Sequence, residues 1–70
     1  MTRYLFARLG NARFINLNHI MDIYFFEEKD ENGNCYFEVH LKFIDGIQEE
    51  VHLTDKEFNN FYQEVKNALV

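Results

Sequence analysis

Seventy residues, 47% of them hydrophobic, with eight phenylalanines, four tyrosines and no proline, make one small globular domain and exclude a disordered or collagen-like chain. A single cysteine excludes a disulfide scaffold, and no apolar run approaches the roughly 18 residues of a membrane-spanning helix. The net charge of −5 is uneven: residues 1–26 hold three arginines against one acid, residues 27–70 four lysines against eleven acids, which speaks against a nucleic-acid partner.

The three glycines each adjoin Asn or Asp, as Gly10-Asn11, Asn32-Gly33 and Asp45-Gly46. These residues reach positive φ at low cost and mark turns. They divide the chain into strands predicted at about 2–9, 12–18, 20–29, 34–44 and 47–53. The acid-free start carries an arginine every five residues, off any one helical face, so it is read as part of the fold rather than a transit peptide. Arg3, Arg8 and Arg13 interleave with Tyr4, Phe6 and Phe14, as in single-strand nucleic-acid binders, but this is a small footprint beside the acidic remainder. His19 follows Asn16-Leu17-Asn18, where asparagine chemistry predicts a corner between the second and third strands.

The third strand is apolar on both sides, with Ile20, Met21, Ile23, Tyr24, Phe25 and Phe26. Such a strand lies inside a curled, barrel-like sheet or has its outer face covered by another molecule. The fourth alternates: Cys35, Phe37, Val39, Leu41 and Phe43 point one way, Tyr36, Glu38, His40 and Lys42 the other. A three-residue loop from Ile44 to Gly46 pairs Phe43 with Ile47, Val39 with Val51 and Phe37 with Leu53, keeping the apolar face continuous except where Leu41 meets Glu49. Thr54-Asp55-Lys56-Glu57 is a capping box. Phe58, Phe61, Tyr62, Val65 and Leu69 then recur at helical spacing, predicting one amphipathic helix at about 55–69 across the Phe37/Val39/Leu41/Phe43 face.

Little chemistry is visible. The same register sets His40 opposite Glu50 and His52 opposite Glu38, an arrangement read as cross-strand charge pairing. A zinc site from His40, His52 and a Glu is the sharper alternative, set aside because diagonal neighbours on a sheet lie about 7–8 Å apart. Cys35 begins an inward-facing row and reads as a small hydrophobe, with no Lys or Arg near in sequence to activate it. Serine is absent, Thr54 is committed to a cap, and Asp30 to Asn34 lacks the glycine and glutamate spacing of a calcium loop. No phosphate-binding or dinucleotide motif occurs. Neither an enzyme nor a cofactor is expected, and no metal.

The stretch Arg13-Phe-Ile-Asn-Leu-Asn-His-Ile-Met-Asp-Ile23, followed by a hairpin, an Asp-Gly turn, a short strand and a capped helix, resembles small bacterial flagellar proteins of the FlbD type. The matching residues are Leu17-Asn18, Ile20 and Ile23, and the likeness covers about residues 12–69. It implies a β-meander with a C-terminal helix and no functional residue.

The expectation is an α+β domain, an antiparallel meander of four to five strongly twisted strands, open or barrel-like, with one helix on one face. Its function is expected to be that of a small non-enzymatic interaction or accessory module of bacterial or phage kind, residing in the cytoplasm. Tyr24, Phe26, Tyr36 and Ile44 are the candidate interface with a protein partner or a second copy as a homodimer. The alternative is an acidic inhibitor that mimics nucleic acid, presenting Glu27, Glu28, Asp30, Glu31, Glu49 and Glu50 to a basic groove.

Overall fold

A computed structural model describes residues 6–10 and 13–68. It contains five antiparallel strands and one α-helix: β1 (Phe6–Arg8), β2 (Phe14–Asn16), β3 (Ile20–Lys29), β4 (Cys35–Phe43), β5 (Gln48–Thr54) and α1 (Asp55–Ala68). The expected α+β class is therefore present. Predicted strand residues 2–5 and 12 and helix residue 69 lie outside the described residues.

The strands form two sheets rather than one meander. Among the described residues β1 and β2 pair only with each other, and β3-β4-β5 make the second sheet in that order. The barrel alternative is thus corrected: the sheets do not close, and among the described residues β3 and β5 are edges. The break has a local cause. Asn16 accepts a hydrogen bond from the Asn18 amide through its side chain, starting a 3-10 turn over Leu17–His19. That turn redirects the chain before β2 can lengthen alongside β3. The corner expected around His19 is where the structure has it.

The β4–β5 hairpin has the expected register, with Phe37 opposite Leu53, Val39 opposite Val51 and Leu41 opposite Glu49. The Phe43 amide donates to the Ile47 carbonyl at 2.8 Å, and Gly46 has a φ of 92°, closing the three-residue loop. A one-residue slip would carry the whole apolar row to the other face. The capping box also forms: the Glu57 amide donates to Thr54 Oγ1 at 3.2 Å, and the Thr54 amide to Glu57 Oε1 at 2.9 Å.

Helix α1 and the β1–β2 hairpin cover one face of the three-stranded sheet. Val39, Leu41 and Leu53 from the sheet meet Ala7, Leu9 and Ile15 from the hairpin and Phe58 and Phe61 from the helix. Phe58 stacks on Phe37 with ring centroids 3.9 Å apart. Arg13 clamps the hairpin to β5 through two bonds to the Glu49 carboxylate, at 2.7 and 2.8 Å. This contact absorbs Glu49, the one polar interruption of the apolar row. Cys35 departs from expectation: it is exposed, because β3 and β4 run on beyond the reach of the helix. The molecule is accordingly elongated, 48 × 24 × 22 Å.

Candidate interaction surface

The two-sided apolar character of β3 has a structural explanation that alternation alone does not reveal. The β3–β4 register shifts between Ile20 and Asp22, leaving Met21 without a partner across the ladder. Ile20 pairs with Phe43, Ile23 with Leu41 and Phe25 with Val39, so all three share the helix-covered face. Tyr24 and Phe26 pair with His40 and Glu38 on the opposite, outer face. The bulge thus turns an irregular apolar run into two apolar surfaces.

The inner surface is an open groove. It has a volume of about 410 Å³ between β3 and α1, walled by Met21, Ile23 and Phe25 on one side and Phe58, Tyr62 and Val65 on the other. Met21 is 60% exposed, Phe25 and Tyr62 43% each. The helix leans towards β1, β4 and β5, and β3 is left with this cleft. Beside the groove runs the free edge of β3, which among the described residues pairs only with β4.

Which backbone groups line that edge follows from the hairpin tip. Asp30 donates its amide to the Asn34 carbonyl at 3.0 Å and accepts from the Gly33 amide at 3.0 Å. Hydrogen-bonded and non-bonded pairs alternate along an antiparallel ladder. Counting back from Asp30, the N–H and C=O of Glu28, Phe26 and Tyr24 face β4. Those of Glu27, Phe25 and Ile23 face away from it. The same residues that send their backbone outward therefore send Ile23 and Phe25 side chains into the groove. Acids flank it, with Asp22 at one end of the Ile23–Phe26 run and Glu27 and Glu28 at the other.

The four residues expected at the interface are only partly brought together. Tyr24 and Phe26 sit side by side on the outer face, about half exposed, with ring centroids 5.8 Å apart. Tyr36 is on that face near the tip, partly buried, with its ring tilted against His52. Ile44 lies at the other end of β4, in the turn, beside a small hollow shared with His19, Phe43 and Asp45. Met21, Tyr62 and Val65 were not singled out as interface residues. The usable signal is the apolar character of β3 on both sides.

Between the outer-face aromatics lies a polar cluster. His40 Nε2 is 3.0 Å from Glu38 Oε2 and 3.6 Å from Glu50 Oε1. His52 Nε2 is 3.0 Å from Glu50 Oε2 and 3.5 Å from Glu38 Oε1. Tyr24 stacks flat on the His40 ring, centroids 4.7 Å apart. The hydrogen bond from His40, with smaller help from His52, holds the Glu38 carboxyl below the usual carboxylate range.

Two arginines are engaged elsewhere in the fold. Arg13 holds Glu49 below the ordinary carboxylate range by hydrogen bonding, and its own guanidinium pKa is raised in return. Arg8 Nε donates to the Gly10 carbonyl at 3.1 Å. Arg3 and Tyr4 lie outside the described residues. No helix among the described residues is long and apolar enough to cross a membrane. No protein-family model, curated protein or solved structure matches this chain.

Proposed function

We propose that the protein is a small non-enzymatic interaction module that docks an extended segment of a protein partner along the free edge of β3. One observation carries the reading: outward-facing backbone groups of Ile23, Phe25 and Glu27 run beside an apolar groove lined by their own strand and by α1. Soluble proteins rarely leave a long edge strand and a contiguous apolar patch together without a use for both. An added strand gains main-chain hydrogen bonds, and its alternate side chains enter the groove. The flanking acids, Asp22 at one end and Glu27 and Glu28 at the other, favour an occupant with an apolar centre and basic ends. A second copy brings the same acids, so a basic-flanked partner fits better.

The mimic reading has less support, because several of its carboxylates are spent internally. Glu49 is held by Arg13, Glu50 lies against both histidines, and Asp30 Oδ1 accepts from the Asn32 and Asn34 amides at 2.9 Å each.

The test is selection of displayed random peptides on the full chain, counter-selected on Ile23→Pro. Proline at this position removes an outward N–H and leaves the β4 ladder intact. Met21→Lys, at an exposed groove position, is the second variant should the proline disturb folding. Enrichment of alternating apolar peptides with basic flanks, at least tenfold weaker on either variant, is the expected result. No enrichment, or equal retention on both variants, overturns it. A chain that dimerises in sedimentation and is made monomeric by Met21→Lys replaces the foreign partner with a second copy.

A further inference from the structure

We infer that Glu38, His40, Glu50 and His52 form a binding site for a divalent transition-metal ion of the zinc type, bridging β4 and β5 on the outer face. The inference is independent of the docking surface, which uses the other face of β3 and its edge.

The topology makes the cluster. Glu38 and His40 are two apart on β4, Glu50 and His52 two apart on β5, and the register sets His40 opposite Glu50 and Glu38 opposite His52. All four side chains therefore rise from one face as the corners of a square, with donor types alternating around it. Diagonal backbone separation argued against such a site, but the side chains lean inward and cancel it. Ligand atoms of Glu38, Glu50 and His52 lie within 4.8 Å of one another. His40 Nε2 lies outside that set of three but near both carboxylates, at 3.0 and 3.6 Å, and can be drawn in as a fourth donor. The four nitrogen–oxygen separations run from 3.0 to 3.6 Å. Zinc holds nitrogen and oxygen ligands at about 2.0–2.2 Å in a tetrahedron, whose edges are then about 3.3–3.6 Å. The four separations use both oxygens of each carboxylate, so an ion takes Glu38 and Glu50 either through both oxygens or, after a side-chain rotation, through one oxygen each.

The electrostatics point the same way. Two carboxylates converge on the same pair of imidazoles, and among the described residues no lysine or arginine nitrogen lies within 4 Å of either. The two carboxylates bring negative charge that a dication neutralises. Imidazole and carboxylate together suit zinc and its first-row neighbours rather than magnesium or calcium, which prefer all-oxygen ligation. On binding, each histidine carries its proton on Nδ1 and presents the Nε2 lone pair to the metal. Tyr24, stacked on His40, restrains the orientation of that ring. Tyr36, tilted against His52, flanks the other side.

The experiment is calorimetric titration of the untagged full chain with zinc chloride alone in a non-coordinating buffer, alongside histidine-detected NMR. The expected result is one zinc per chain, with the Nε2 resonances of His40 and His52 shifting together. His52→Gln and Glu50→Gln should each weaken binding at least tenfold, while magnesium at the same concentration leaves the spectrum unchanged. Absence of saturable zinc binding overturns the site. So does binding that both variants retain, or binding that moves His19 while leaving His40 and His52 in place. Because the NMR readout is on the wild-type chain, a variant that fails to fold does not decide the outcome.

Discussion

Arg13 shows how one side chain rescues an awkward position. Glu49 interrupts the apolar row opposite Leu41, and a carboxylate there would cost desolvation without a partner. The guanidinium meets it with two bonds in the planar fork geometry that suits carboxylates. The pair is partly exposed, so its contribution is on the order of 1 kcal/mol or less. Its pH dependence has a definite sign. The folded Glu49 pKa is below its unfolded value, so the stabilisation is complete above the unfolded carboxylate value of about 4.3 and is lost as pH falls through the folded value. Urea midpoints for the native chain and Arg13→Gln should differ at pH 7 and converge at acid pH below that folded value. A gap that persists there would place the effect in packing rather than charge. The clamp itself was not legible: Arg13 and Glu49 are 36 residues apart, and nothing local joins them.

The β4–β5 hairpin and α1 were readable almost residue by residue, because turn chemistry, alternation and the capping box are local signals that agree. β3 was not, since a bulge at Met21 changes the face of everything beyond it without a distinctive sequence mark. The separation of β1–β2 from the larger sheet was hidden for a related reason. A three-residue 3-10 turn decides it, through one side-chain bond from Asn16. The contrast between the faces predicts different costs for losing an aromatic ring. Phe58 is buried and stacked on Phe37, so Phe58→Ala should cost about 3–5 kcal/mol and unfold a domain of this size. Tyr24 on the outer face is 47% exposed, and Tyr24→Ala should leave the fold intact. Circular dichroism and amide dispersion distinguish the two. Equal losses would mean that the outer face is core.

The whole molecule is a small core with a long unsupported arm. Hairpin β1–β2 and α1 bury one end of the three-stranded sheet, and β3 and β4 extend past them to an acidic tip. A domain of this length buries only about 60% of its unfolded surface, so the apolar groove is costly to leave open. The proposed docking edge gives that cost a function, and the His–Glu cluster gives the outer face a separate one. From the sequence, the uncovered apolar face is expected opposite the helix, at Tyr24, Phe26, Tyr36 and Ile44. The structure also opens a groove on the helix side of β3, which that reading did not anticipate. The most direct measurement is native-state amide hydrogen exchange along β3, on the dilute full chain by NMR. The free edge requires alternation, with Tyr24, Phe26 and Glu28 protected by β4 and Ile23, Phe25 and Glu27 exchanging freely. Uniform protection of all six amides would contradict the account, since the edge would then already be paired.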